Sequence, residues 1–209
     1  MRQLALLASL VFALCPRAFA QPPSPRIGPF VVDLRGTFPN FPDSAELAES
    51  RGIAATDLPG LGIGVQVGAH LYFFKWKAVT VGFGGELMTS RAHAKAQTAG
   101  LPSVTERFTS LAPQLSLNFG SSKGWSYLSG GISVSTWSIV PDGSAPLPVD
   151  EERLKTINYG GGARWFAKKH LAFTFDVRFY AVNPSTSFTG FPPSPRTTLL
   201  VIGAGVSVR

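Results

Sequence analysis

Seven ionisable residues carry whatever chemistry this chain could do: Asp33, Arg35, His70, Glu86, Arg164, Asp176 and Arg178. A histidine near a carboxylate has the makings of a general base, and His70 could serve in that way with Glu86 or Asp33, but the expected reading is a hydrogen-bonded interior histidine belonging to the polar network of the lumen. Three carboxylates set against three guanidinium groups also suit a neutral, hydrogen-bonded network in a dry interior, where each charge must find a partner. The same charges could instead line a gated ion path. Two glycine clusters, Gly60-x-Gly62-x-Gly64 and Gly160-Gly161-Gly162, lie within strand patterns with no helix following, so they do not read as phosphate-binding loops. No spacing of metal ligands is evident, and nothing in the sequence calls for a cofactor.

All seven residues fall on one side of an alternating pattern. In Leu61 to Phe73 the odd positions are apolar throughout, while the even ones, including Gln66 and His70, are small, polar or amphipathic. Period-2 alternation of this length predicts a β-strand longer than the usual length of about 5–6 residues, and as long as the roughly 9–11 needed to cross a bilayer at a tilt. The pattern recurs, predicting strands over residues 29–38, 61–73, 79–92, 105–119, 125–140, 155–166, 171–182 and 196–209. A short surface helix is expected near residues 43–49, where Asp43-Ser44 precedes helix formers. The connections alternate long and short, the rhythm of an up-and-down barrel with tight turns on one side and long loops on the other.

The bulk composition agrees. Of 209 residues, 15% are charged and 44% hydrophobic, with 22 glycines, 17 prolines and 16 phenylalanines, a profile of strands and turns. The formal charge of +7 includes Arg2 and Arg17 and is not gathered into runs, which argues against a soluble nucleic-acid binder. Residues 1–20 combine Arg2, an apolar stretch from Leu4 to Leu14 and a terminal Ala18-Phe19-Ala20, the makings of a secretory signal peptide cut before Gln21. The single cysteine, Cys15, lies inside it, so the mature chain has neither disulfide nor thiolate chemistry. Residues 21–28 read as a Pro-rich leader and 29–209 as one barrel domain.

The content of the two faces decides how the barrel is turned. A soluble barrel would have to pack Phe and Trp from eight strands into a narrow interior, whereas a membrane barrel places them in lipid and pairs its charges inside. The expected fold is therefore all-β, an eight-stranded antiparallel up-and-down transmembrane β-barrel. Phe30, Phe73, Trp76, Phe119, Trp125, Trp165 and Phe173 lie at strand ends beside the short turns and are expected to form an aromatic girdle at one interface.

In pattern and topology, across the whole mature chain, the sequence resembles the small eight-stranded outer-membrane barrels typified by the transmembrane domain of outer membrane protein A. It departs from them at its end, Val206-Ser207-Val208-Arg209, which lacks the usual terminal aromatic. The resemblance implies a bacterial outer-membrane location, with outer-membrane lipid and the outer-membrane assembly machinery as partners. Small barrel enzymes that remove acyl chains from lipid A keep a His/Ser arrangement at the lipid-facing surface, and no matching motif is present here. The expectation is a non-enzymatic structural or surface-interaction protein whose lumen is plugged by polar and charged side chains, with no metal or cofactor. The alternatives are a lipid-modifying enzyme and a small gated pore. The long loops, rich in acids such as Asp43, Glu46, Asp150 and Glu151, are expected to be solvated and to offer the surface for a surface or envelope protein partner.

Overall fold

A computed structural model describes residues 27–97 and 99–209; the expected signal peptide and nearly all of the Pro-rich leader lie outside the described residues. Eight strands form a closed, sequentially ordered barrel: β1 (Phe30–Asn40), β2 (Ile63–Trp76), β3 (Val79–Ala94), β4 (Val104–Ser121), β5 (Gly124–Pro141), β6 (Leu154–Phe166), β7 (Leu171–Val182) and β8 (Thr197–Val208). Every neighbouring pair is antiparallel, and β1 closes on β8 through nine register pairs from Val32↔Val208 to Asn40↔Leu200. Closure leaves no unpaired strand edge, the condition for backbone to cross a hydrocarbon layer in extended form.

Strand bounds follow the alternation to within two or three residues. Residues 77–78, 122–123 and 167–170 make the short turns, whereas 41–62, 95–103, 142–153 and 183–196 make long loops at the other end. The first turn is tighter than expected because β2 continues through Phe74 to Trp76. A register shift between Tyr72 and Phe74 inserts one residue there, so Phe73 and Phe74 both point outward. Lys77 then takes the left-handed conformation, at φ 52°, to reverse the chain. The expected helix is a single turn, α1 (Ala45–Glu49), capped by Ser44, whose hydroxyl accepts from the Leu47 amide at 3.3 Å.

The outer surface of the barrel is apolar over most of its height. Leu111, Ile132 and Phe173 are 61%, 59% and 64% exposed, and they stand among more than a score of other exposed aliphatic and aromatic side chains around the barrel. An exposed apolar surface of this extent has no counterpart on a water-soluble monomer and is what lipid requires.

Candidate functional site

The seven residues singled out from the sequence all point into the lumen. Asp33, Arg35, Glu86, Arg164, Asp176 and Arg178 are each no more than 3% exposed, and they join in one connected network. Asp33 on β1 is its hub. Arg164, reaching across from β6, donates Nε to Asp33 Oδ1 at 2.9 Å and Nη2 to Oδ2, a bidentate fork. Arg35 approaches Oδ2 at 2.8 Å, and the Ser207 hydroxyl of β8 donates to Oδ1. Arg35 also donates to the Gln66 side-chain carbonyl at 3.1 Å and lies 3.8 Å from Glu86 Oε2. Glu86 in turn accepts from the Tyr180 hydroxyl at 2.9 Å and sits 3.5 Å from Arg178 Nε. Arg178 reaches both oxygens of Asp176 at 3.2 Å and donates to Ser129 at 2.8 Å. Tyr127 closes the circuit by donating to Asp176 at 2.7 Å beneath the Arg164 guanidinium, whose centre is 4.1 Å from the Tyr127 ring.

Alternation supplies this convergence, since every strand offers alternate side chains to the bore. Small residues then make room for the long ones. A Cβ on Gly162 would lie 2.1 Å from the Phe175 carbonyl and 2.6 Å from the Tyr127 hydroxyl, and one on Gly160 would lie 2.8 Å from Arg178 Cα. The glycine cluster of β6 is therefore the space in which Tyr127 and Arg178 lie. With three guanidinium groups against three carboxylates, the belt is formally neutral, and the forked Arg–carboxylate geometry offsets much of the cost of dehydration.

Two of the expected placements need correction. His70 lies in the lumen, 4% exposed, but neither ring nitrogen hydrogen-bonds to a described residue, so it stands outside the network. Its register explains this: His70 pairs with Val31 and Gly84, two residues nearer the short turns than Gly68, which pairs with Asp33 and Glu86. Trp125 is also not in the outer girdle. Phe30, Phe73, Trp76, Phe119, Trp165 and Phe173 face outward, but Trp125 is 3% exposed inside the barrel. In β5 the outward positions are even-numbered, as Leu128, Ile132 and Val134 are, and Trp125 has the opposite parity. It stacks on Phe166 at 5.0 Å and meets Tyr72 edge-on at 5.8 Å, and with Ile27 it forms an aromatic floor at the short-turn end of the bore.

The half of the bore beneath the long loops is apolar, which the sequence reading does not anticipate. Phe41, Leu47, Met88, Phe108, Trp137, Ile139, Leu199 and Val201 are among the residues packed there, with α1 as their lid. The signal was present where alternation lapses into apolar residues on both faces, as in Leu199-Leu200-Val201-Ile202. Within this layer Glu106 is fully buried, its Oε1 accepting from the Trp137 indole at 2.6 Å. The lid is fastened to the third long loop by a buried pair: Arg51 Nε to Asp150 Oδ1 at 2.9 Å, with the same oxygen accepting from the Ile139 amide at 3.1 Å. Asp57 is likewise buried and accepts from the Gln97 amide at 2.7 Å. The acidic loops are thus only partly solvated, because Asp57 and Asp150 tie them down. Among the described residues no group of His, Cys, Asp and Glu is arranged to hold a metal ion.

Comparison with solved structures adds to this geometry. Neisserial surface protein A superposes with a TM-score of 0.58 at 14% identity, covering 87% of this chain and 97% of its own. The fold is that of a small outer-membrane barrel. Ail of Yersinia pestis, at 9% identity, covers 87% of this chain and 99% of its own with a TM-score of 0.48. The N-terminal β-barrel domain of Pseudomonas aeruginosa OprF, at 12% identity, covers 88% and 98% with a TM-score of 0.40. No family model matches the sequence, and neither does any curated protein.

Proposed function

We propose that the protein is an integral barrel of the bacterial outer membrane whose lumen is a closed structural plug and whose work is done by the loops it holds outside. The observation that carries this reading is the paired belt: all six charges of Asp33, Arg35, Glu86, Arg164, Asp176 and Arg178 are buried and engaged with one another. An ion path needs sites that bind weakly and exchange with water, whereas these groups are paired with one another and lie between apolar layers above and below. The barrel then serves as a rigid mount. Its lid and third loop, joined through Arg51 and Asp150, present a fixed surface suited to a surface or envelope protein partner. Outer-membrane lipid surrounds the wall, and the outer-membrane assembly machinery inserts it. Against a lipid-modifying enzyme stands the placement of His70, enclosed in the bore rather than on the face where a lipid acyl chain would lie.

The test is reconstitution in planar bilayers together with heat-modifiable gel migration of the extracted protein. A folded, heat-modifiable barrel with no stepwise conductance is expected. Regular conductance steps altered by Arg164→Gln would overturn the plug in favour of a pore. His70→Ala is expected to leave lipid A acylation in the membrane unchanged; a change abolished by that substitution would return the enzyme reading.

A further inference from the structure

The outer wall changes character in register across β3, β4 and β5 as it nears the long loops. Leu87, Leu111 and Val134 are neighbours, all exposed. One outward step further lie Thr89, Thr109 and Thr136, the first two in side-chain contact at 3.2 Å. The next step brings Arg91, Arg107 and Ser138 side by side. Along the strand, the passage from the last leucine to the arginine covers about 13 Å, enough to leave the hydrocarbon and reach the level of lipid headgroups.

Arg91 and Arg107 sit directly opposite each other on adjacent strands, an arrangement that is unfavourable without a counter-charge. Among the described residues neither is in an ion pair with a carboxylate. Arg91 donates to the Thr105 hydroxyl at 3.4 Å, and that hydroxyl donates to Asp142 at 3.1 Å. The other Asp142 oxygen lies 3.9 Å from His93 Nδ1, so Asp142, the one acid lining the two depressions, is held on the loop side by the Thr105 hydroxyl. Both arginines border two adjoining depressions. The upper, about 290 Å³, mixes polar groups of Thr105, Ser138 and Asp142 with Val140 and Pro146 in its lining. The lower, about 520 Å³, descends the wall over Ile63, Val65 and Thr89.

We infer that this is a binding site for a phosphate-bearing lipid of the leaflet that the long loops face, with the phosphate between Arg91 and Arg107 and an acyl chain in the lower depression. Two guanidinium groups offer the paired, forked donors that suit a phosphate, and the apolar wall lies one threonine row beneath them, with Ile63 and Val65 alongside in the lower depression, which suits a lipid better than a free anion. The inference rests on the membrane placement of the barrel and not on the closed lumen, so a conductance result would leave it standing.

Native mass spectrometry of the full chain in detergent, titrated with bisphosphorylated lipid A, tests it. The wild type is expected to retain the lipid. Arg91→Gln/Arg107→Gln, its folding checked by heat-modifiable migration, is expected to bind about tenfold or more weakly, the scale of losing charge-assisted hydrogen bonds. Lys168→Gln/Lys169→Gln, which removes the same charge at the short-turn end, is expected to bind as the wild type does. Equal binding by the double arginine variant, or equal binding of a lipid A stripped of phosphate, would overturn the site. Complete displacement by millimolar inorganic phosphate would also overturn it, by marking a free-anion site instead of a lipid site.

Discussion

Replacing Asp33 by Asn probes the belt at its hub. The carboxamide keeps the shape and can still accept from Ser207, but Arg164 loses the only carboxylate with which it pairs among the described residues, while Arg35 keeps a contact with Glu86 at 3.8 Å. Arg164 would then be a buried, uncompensated cation at 1% exposure. Removing one partner of such a pair costs about 3–5 kcal/mol, and the fork geometry places this case toward the upper end. Removing both charges, in Asp33→Asn/Arg164→Gln, should recover a large part of that loss, because no charge is left stranded. Urea unfolding of the reconstituted barrel, followed by tryptophan fluorescence and gel mobility, would measure both, with a constant slope confirming that stability alone has changed. If the single variant lies within about 1 kcal/mol of wild type, the range for solvent-exposed pairs, the belt is hydrated and the plug argument fails. If the double variant loses the sum of the two single losses, Asp33 and Arg164 are not coupled and the network is wrongly drawn.

Three further outcomes are expected. Arg51→Ala unfastens the lid from Asp150, and limited proteolysis should cut residues 41–62 at least about tenfold faster while the barrel stays heat-modifiable. Gly162→Val should fail to reach the compact gel form, since its Cβ would meet the Phe175 carbonyl at 2.1 Å, whereas Gly85→Ala, whose nearest neighbour would be 3.6 Å away, should fold normally. Glu106→Gln keeps an acceptor for the Trp137 indole and should leave stability within about 1 kcal/mol, whereas Glu106→Ala strands that donor at a cost of about 1–3 kcal/mol in the same urea titration.

The strands, their order and the inward set of charges were legible because one rule governs them all: alternate residues face opposite solvents, and a slip of one residue would drive Asp33 or Arg178 into lipid. The same rule applied to β5 places Trp125 inside, because an aromatic at a strand end is interfacial only where its parity is outward. Tyr127 and Tyr180, the two hydroxyls that bind Asp176 and Glu86, were equally within reach of the rule. What lay beyond it was long-range pairing. Arg51 and Asp150 are 99 positions apart in two loops with no period, and nothing local distinguishes them from solvated loop charges. Arg91 and Arg107 become a pair only once the register of β3 on β4 is known.

The bore is layered for a physical reason. Eight strands enclose about as much space as inward side chains can fill, so no layer can be left to water without thinning the wall's support. A charged layer alone would need solvent at its ends to complete its hydrogen bonds, and an apolar layer alone would give no unique packing across so many strands. Stacking them solves both problems. The belt finds partners internally, through Tyr127, Tyr180, Ser129 and Ser207, and in the proposed plug the apolar layer under α1 and the floor of Ile27, Trp125 and Phe166 would keep water from competing for those donors. The floor is itself tied to the chain's end, where the Arg209 guanidinium lies 3.9 Å from the Phe166 ring and donates to the Lys169 carbonyl at 2.9 Å. In the proposed plug, breaking the Arg51–Asp150 tie would expose an apolar surface to the outside while the belt and floor remained in place, so the fixed outer surface depends on that tie and the closure of the bore does not.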